Sequence, residues 1–400
     1  MDIEAVHTHE VASGDRSPTA PPSVDAMVDA TPADRDRVVD LIRGLSIGVV
    51  VLWHWTLSVT DWSGGSLSMP NPIGEASGLW LLTWIFQVMP LFFVVGGFSN
   101  LAGWTSMLER RAVDPGRDRR PGRSFVWSRA KRLGLPAGAM LGTWVLLDVA
   151  IRLVRPGTPS VFSWGIVVFV PLWFLGVYGI VTSLVPLTAR LHATAPTTTL
   201  TGMIAIIALA DTVRFGAGVH AAGYVTTAGV WLFAHQLGYW WRDGTLDSAG
   251  RDSHVALTVL GMVGLVVTTN TGIYPRSTVA VEGEWLSNMF PTTAPIACLA
   301  VFQLGLVFLV RPAANRWLAR SRRAWRTVVT VNAVAMTVFC WHMTALVAAI
   351  AVWNLLGFDL IGDPTVGWWI QRPVWLIAPA IALVPLVWAF LRVEHRSRTM

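Results

Sequence analysis

The stretch Asp40-Leu-Ile-Arg-Gly-Leu-Ser-Ile-Gly-Val-Val-Val-Leu-Trp-His54-Trp decides the fold of this chain. Its ionisable side chains are Asp40, Arg43 and His54, and most of the rest is apolar. A helix needs roughly 20 mainly apolar residues to cross the hydrocarbon core of a bilayer. The apolar run that starts here extends over Leu41–Thr60, so we predict that it is a transmembrane helix.

The composition agrees with a membrane protein. Apolar residues make up 53% of the 400 residues and charged residues only 14%. A soluble protein carries about 25% charged residues. This chain has too little charge to cover a water-soluble surface, which excludes a soluble globular fold.

The net charge of +6 does not indicate a nucleic-acid partner, because the arginines lie in short loops between apolar blocks. The two cysteines, Cys298 and Cys340, both fall inside apolar blocks. That position is typical of small packing residues, and we expect neither a disulfide nor a metal site.

Ten apolar blocks recur along the chain, which predicts an all-α polytopic bundle of about ten transmembrane helices. They are Leu41–Thr60, Leu79–Ser106, Leu135–Leu153, Val161–Leu187, Leu200–Val213, Gly223–Trp241, Val255–Thr269, Thr293–Val310, Thr327–Trp353 and Trp369–Leu391.

The loop charges predict the orientation. Cytoplasmic loops carry an excess of Lys and Arg. The second-to-third loop is rich in arginine from Arg110 to Arg132, and the eighth-to-ninth loop from Arg311 to Arg326, whereas the loop after the first span has no Lys or Arg. With ten spans both termini are cytoplasmic. We expect a disordered tail at 1–37, a membrane domain at 38–392 and a second tail at 393–400.

The first span carries the clearest candidate site. Arg43 and His54 are eleven positions apart, or about three helical turns, so both point to one face about 16 Å apart along the axis. Asp40 can pair with Arg43 at i,i+3. We place Asp40 and Arg43 at the inner headgroup level and His54 near mid-membrane. An ionisable group there is costly, which favours a function. The alternatives are an interface anchor for Arg43 and a packing role for His54.

Other segments offer further candidates. His342 lies well inside the ninth block, where a structural and a functional role are equally open. Arg129, Lys131 and Arg132 precede the third span; they are either a positive-inside anchor or a clamp for phosphate oxygens.

Pro90 predicts a kink in the second span, and Gly96 and Gly97 allow close approach of a backbone or ligand. Trp53 and Trp55 flank His54 and can shape a pocket.

In these motifs the chain resembles the integral-membrane acyltransferase 3 family. The resemblance rests on Asp40, Arg43-Gly44 and His54, on Pro90-Leu-Phe-Phe-Val-Val-Gly-Gly-Phe98, on Arg129-x-x-Arg132, on Leu172-Trp-Phe-Leu175 and on the late His342, and it covers residues 38–392. The chain has Gly96-Gly97 where the family often has Ser-Gly. It has Val177 and Tyr178 where many members have a Glu.

The resemblance implies transfer of an acyl group, usually acetyl from acetyl-CoA, to a hydroxyl of an envelope carbohydrate or lipid. Arg129, Lys131, Arg132 and Arg43 would hold the phosphates of the donor. His54 would act as general base or accept the acetyl group transiently, and His342 would assist.

Further expectations come with the resemblance. Trp53, Trp55, Gly96, Gly97 and Trp173 are the expected pocket residues. We expect no tightly bound cofactor and no metal, and a location in a bacterial inner (plasma) membrane, in contact with membrane lipid.

Two other classes of function stay open at this level. A transporter or exporter of a lipid-linked or sugar substrate also carries polar residues in its spans and Pro- or Gly-interrupted helices. No inverted repeat is visible in this sequence, however, and its polar residues are concentrated rather than strung along a path. A non-catalytic scaffold would leave Arg43 and His54 on one face without a purpose.

Overall fold

The computed structural model describes residues 23–57, 61–63, 66–69, 78–114, 116, 120–281, 286–358, 360 and 365–399. Helices dominate these residues. They are α1 (Val24–Asp29), α2 (Arg37–Thr56), α3 (Trp80–Phe86), α4 (Met89–Val113), α5 (Pro121–Val154), α6 (Val161–Trp164), α7 (Leu172–Ser183), α8 (Val185–Thr194), α9 (Pro196–Gly216), α10 (Ala222–Arg242), α11 (Thr245–Ser248), α12 (Gly250–Thr269), α13 (Ala294–Arg320), α14 (Arg322–Leu355), α15 (Val366–Ile370) and α16 (Arg372–Thr399). A 3₁₀ helix (Ile166–Phe169) precedes α7, and β1 (Asp61–Ser63) pairs antiparallel with β2 (Ser66–Ser68) after α2.

The predicted polytopic helical bundle is confirmed. Nine helical stretches of the described residues are long and apolar enough to cross a membrane. The predicted sixth span, α10, has 21 residues but is not among the nine. Polar side chains such as His235 and Gln236 lower its hydropathy, and they are buried against protein. A helix enclosed by other helices does not have to be apolar towards lipid. Counting α10, the described residues contain ten helical stretches that correspond to the ten predicted spans.

Two predicted spans are interrupted. The second consists of α3 and α4, and Pro90 lies in the first turn of α4 rather than at a kink inside one helix. Proline is favoured there because the first turn leaves its backbone nitrogen without an intrahelical partner anyway. The fourth span begins with α6 and the 3₁₀ helix before α7 starts after Pro171.

The two predicted tails differ from expectation where the structure describes them. Residues 1–22 lie outside the described part, but residues 23–37 carry α1, which packs Val28 against Trp325 of α14. Arg322 hydrogen-bonds Asp29 and so lowers the pKa of this carboxyl. At the other end, α16 continues to Thr399 through most of the predicted tail.

The helix ends lie on two opposite faces of the bundle. Arg37 at the start of α2 donates to the carbonyl of Leu318 near the end of α13 at 2.7 Å. We call this side, with the ends of α4, α13 and α16 and the starts of α2, α5 and α14, the basic face. At the other side Arg372 at the start of α16 donates to the carbonyl of Thr56 at the end of α2. We call that side the cavity face; the orientation of the two faces in a membrane stays a prediction.

A buried aspartate holds the loop between α12 and α13 at the cavity face. Asp211 accepts hydrogen bonds from the Thr226 hydroxyl at 2.8 Å, the Tyr274 hydroxyl at 2.9 Å and the Ala294 backbone N–H at 3.0 Å. Burial raises the pKa of Tyr274, and the neighbouring Asp211 carboxylate adds to the shift. The loop is thereby fixed to α9, α10 and α13, and residues 286–290 of this loop complete the cavity described below.

Glycines set the spacing of the central helices. In lipid, helices associate through close packing rather than through the hydrophobic effect, and small residues permit the closest approach. A Cβ at Gly97 of α4 would lie 1.9 Å from the carbonyl oxygen of His235, and one at Gly238 of α10 would lie 2.0 Å from that of Val94. The backbones of α4 and α10 therefore touch.

We predict that Gly97→Ala forces α4 and α10 apart and destabilises the protein by about 3 kcal/mol, since the obstacle is backbone that cannot rotate away. Thermal unfolding of the purified protein measures this. Gly142→Ala in α5 is the matched control, because nothing lies within 4 Å of a Cβ there. Equal melting temperatures for both variants would contradict the packing described here.

Candidate active site

A cavity of about 880 Å³ opens on the cavity face. Residues from α2, α3, α4, the 3₁₀ helix, α7, the loop before α13 and α14 line it. His54 and Trp53 contribute from α2, and Trp173 from α7. His54 lies in the last turn of α2, which ends at Thr56, so it is nearer the cavity face than the predicted mid-membrane position.

His54 and His342 form a hydrogen-bonded pair. The Nδ1 atom of His54 lies 3.0 Å from Nε2 of His342, joining α2 to α14. His342 is completely buried, and its Nδ1 lies 2.7 Å from the carbonyl oxygen of Phe339. The indole N–H of Trp55 donates to the backbone carbonyl of His342 at 3.0 Å, which fixes α2 against α14 at this level. The structure therefore brings together two histidines that are 288 positions apart.

The partners of the pair assign the protons. A carbonyl oxygen only accepts, so the His342 Nδ1 carries a hydrogen and donates to Phe339. In a neutral ring the other nitrogen then accepts, so His342 Nε2 accepts from His54 Nδ1–H. This leaves Nε2 of His54 with its lone pair on the edge of the ring turned away from His342. Since His54 lines the cavity and His342 does not, a proton acceptor faces the cavity.

Asp40 and Arg43 pair on the basic face as predicted, but a third residue takes part. Arg43 lies 3.3 Å from Asp40, and it donates to the Ser99 hydroxyl at 2.6 Å. Asp40 makes shorter contacts with Arg35, at 2.7 and 3.0 Å. Asn332 of α14 donates to the backbone carbonyl of Asp40 at 2.8 Å. Arg43 is thus oriented by α4 and by a carboxylate shared with Arg35.

The predicted clamp residues on α5 do not all point the same way. Arg129 turns towards α4, where a Cβ on Gly103 would lie 2.4 Å from its Nη2. Its Nε is buried without a hydrogen-bond partner, and it lies within electrostatic range of Arg43. Lys131 points elsewhere and lies 5.4 Å from the exposed Trp127 ring. Two helical positions correspond to about 200°, which explains the separation. Arg132 is exposed.

Of the predicted pocket residues, Trp53 and Trp173 line the cavity. Trp55 is buried beside His342, while Gly96 and Gly97 lie at helix contacts, Gly97 against α10 and Gly96 against the Tyr178 ring. The close backbone approach expected from the paired glycines is real, but the partners are other parts of this chain and not a ligand.

Sequence reasoning missed a buried polar network beside these glycines. Asn100 donates to Tyr178 at 3.3 Å and to Thr182 at 3.4 Å, and its amide lies 3.1 Å from Nε2 of His235. Asn100, Thr182 and His235 are each at most 2% exposed. The signal was present, because Asn100 and His235 both stand inside apolar blocks. Ser99 and Arg35 were missed as well, and Arg35 lies in the segment that was predicted to be a tail.

Comparison with known proteins decides the family. The sequence model of the acyltransferase 3 family, described as an acyltransferase domain, matches residues 36–392. The chain belongs to the acyltransferase 3 family. No curated protein and no solved structure matches it. As an acyltransferase 3 protein it is a multi-pass membrane acyltransferase, and the match begins at Asp36, which caps α2 ahead of Asp40 and Arg43.

We predict that His54 of this acyltransferase 3 protein is the tautomer with hydrogen on Nδ1 and a bare Nε2. Nitrogen-15 NMR of histidine-labelled protein in lipid distinguishes the two tautomers, and His54→Gln assigns the signal. His254 is the internal control, since its Nε2 lies 2.7 Å from the Leu246 carbonyl and must carry the hydrogen. A His54 signal of the His254 type would overturn the proton assignment.

Proposed function

We propose that this acyltransferase moves an acetyl group from acetyl-CoA, bound at the basic face, to a hydroxyl of an envelope glycan or glycolipid in the cavity. The observation that carries the proposal is that His54 lines the cavity while its Nδ1 pairs with His342, which leaves Nε2 for the substrate. We place the protein in a bacterial inner membrane with its basic face towards the cytoplasm, where acetyl-CoA is found.

The proposed donor site rests on arginine side chains that have fewer carboxylate partners than positive charges. Arg43 shares Asp40 with Arg35, and Arg129 has a buried N–H without a partner. Phosphate oxygens suit such sites, because guanidinium groups bind them with charge-assisted hydrogen bonds. A second cavity of about 650 Å³, lined in part by Arg120 and Arg123, lies on the same face at the start of α5.

The basic face and the cavity are close enough for one long donor molecule to reach both. Val50 lines the cavity, and it is seven residues from Arg43, or about 10 Å along α2. The phosphates can therefore stay at the basic face while the flexible arm that carries the thioester extends along α2 towards His54. The charged part of the donor remains near water and only its less polar part enters the membrane.

The chemical step uses His54 as a general base. Nε2 takes the proton of the acceptor hydroxyl while the oxygen forms a bond to the thioester carbonyl carbon. The carbon–sulfur bond then breaks, and the thiolate leaves and receives the proton back from Nε2. While His54 is positively charged, its Nδ1–H donates to the lone pair of His342, which lowers the cost of that charge. Transient transfer of acetyl to Nε2 requires the same lone pair.

We predict that His54→Ala lowers acetyl transfer about 10²–10⁴-fold, the usual contribution of a general base. Arg43→Ala should raise the KM for acetyl-CoA about ten- to hundredfold, through the loss of hydrogen bonds to a charged group. Both are measured as thiol release from acetyl-CoA by purified protein, with labelled acetyl to follow the product.

His254→Gln is the matched control, because His254 is a buried histidine of α12 outside the cavity, and it should keep wild-type activity. Thermal unfolding verifies that all variants fold. If the wild type turns over acetyl-CoA and His54→Ala does so equally well, the role of His54 is wrong. If neither the wild type nor any variant consumes acetyl-CoA, acetyl-CoA is not the donor and the donor part of the proposal is wrong.

A further inference from the structure

The described residues that line the cavity on the cavity face carry few polar side chains. Four of these residues, apart from the indoles, have polar side chains, namely His54, Thr83, Gln87 and Ser287. The others are aliphatic or aromatic: Val50, Trp53, Leu67, Met69, Phe86, Met89, Ile166, Val167, Phe169, Val170, Pro171, Trp173, Phe174, Val279, Ala280, Met289, Phe290, Phe339 and Met343.

Most of those polar groups are already engaged within the protein. The Thr83 hydroxyl donates to the carbonyl of Trp80 at 2.6 Å and accepts from the backbone N–H of Thr278 at 3.0 Å. The Gln87 amide lies 3.4 Å from the Met289 sulfur, and its oxygen accepts from the Met89 backbone. The Ser287 hydroxyl accepts from the Met289 backbone at 3.1 Å. Among the described lining side chains His54 Nε2 is the strong acceptor left over, and the remaining donors are the indole N–H groups of Trp53 and Trp173 and the hydroxyl of Ser287.

This inventory discriminates between acceptor classes. A sugar ring carries several hydroxyls, and each one buried without a partner loses its hydrogen bonds to water with no replacement. Only one hydroxyl can reach His54 Nε2. An apolar body with one hydroxyl has no such loss and gains from burial against aromatic and aliphatic walls.

The rim of the cavity is apolar as well. Phe86, Ile166, Val170 and Phe290 line the cavity and are each between 42% and 56% exposed. Lining residues that are also exposed mark the place where a cavity reaches the outside of the protein. In a membrane-spanning bundle, exposed apolar side chains are suited to contact with lipid. The apolar rim formed by α3, the 3₁₀ helix and the loop before α13 therefore favours an acceptor that arrives from the membrane.

We propose that the acceptor is a lipid alcohol, meaning one hydroxyl on an extended aliphatic body, that enters the cavity sideways from the membrane. This inference rests on the donor and the role of His54 in the proposed function, and it replaces the glycan or glycolipid acceptor with a hydroxyl borne by an aliphatic lipid. The product is then the acetyl ester of the alcohol, with the hydroxyl proton passing through His54 to the departing thiol of CoA.

The test compares 1-dodecanol with methyl glucoside as acceptors for the protein in lipid nanodiscs. With labelled acetyl-CoA, we expect dodecyl acetate to form with a kcat/KM at least about tenfold above that for methyl glucoside, because the described wall offers few partners for the extra hydroxyls. A preference for methyl glucoside overturns the inference and leaves the proposed function standing.

Two matched variants test the route from the membrane. Val170→Arg puts a charge on the rim, while Val225→Arg puts the same charge on the start of α10, outside the residues that line the cavity. Both valines are 50% exposed. We expect Val170→Arg to reduce dodecyl acetate formation at least about tenfold, since charge is costly at a lipid-facing site, and Val225→Arg to match the wild type. Equal rates for both variants contradict lateral access.

A binding measurement separates the two proposals. A dodecanol analogue with a photoactivatable diazirine, added without acetyl-CoA, should label peptides that contain Val50 or Met343, and dodecanol should compete where methyl glucoside does not. Such labelling supports the lipid-alcohol site even if acetyl-CoA turnover is absent and the proposed function fails. Absence of labelling in these peptides overturns the inference. Competition by palmitoyl-CoA but not by dodecanol overturns it as well, because the cavity would then be a pocket for the acyl chain of the donor.

Discussion

The hydrogen bond between His54 and His342 connects the first crossing helix to the ninth, and the rest of the site follows from it. Because His342 donates to the Phe339 carbonyl, it can only accept from His54. That one constraint assigns a proton to each ring, turns the lone pair of His54 towards the cavity and places α2 against α14. Trp55 supports the same contact by donating to the backbone of His342. His342 is completely buried, and both of its ring nitrogens are paired within the protein.

The two faces of the bundle have different chemistry. The basic face holds Arg35 and Arg43 on one shared carboxylate, with Arg129 within electrostatic range of Arg43. The cavity face holds a cavity whose described lining is mostly apolar and includes His54. Helix α2 joins the two, with Arg43 near one end and His54 in the last turn at the other. This division suits a reaction whose charged donor comes from water on one side and whose acceptor comes from the membrane on the other.

Much of the fold could be predicted from the sequence, because ten apolar blocks and their arginine-rich loops are direct consequences of the bilayer. The shared helix face of Arg43 and His54 could also be predicted, since eleven positions make close to three whole turns of one helix. The break at Gln87 and Val88 was not, because a proline in a span is compatible with a kink or with a new helix. The separation of Lys131 from Arg129 follows from helix geometry and could have been derived. The partner of His54 could not, since nothing local relates two residues on different helices.

For Gly96 and Gly97 the motif predicts a close contact but does not identify its partner. Their small size predicts close approach, but only the three-dimensional packing reveals that α10 and Tyr178, rather than a substrate, occupy the space. The buried Asn100 and His235 were missed for a different reason, since they stand in blocks that were taken for plain apolar spans.

The central claim is that donor and acceptor meet at His54 from opposite faces. It is tested most directly in sealed proteoliposomes in which the protein has one orientation, established by protease access to its termini. Labelled acetyl-CoA is supplied on one side at a time, and ester formation is measured. The account predicts transfer only when acetyl-CoA is on the side of the termini, next to Arg43. Transfer from the cavity face alone, or equally from both sides, would contradict it.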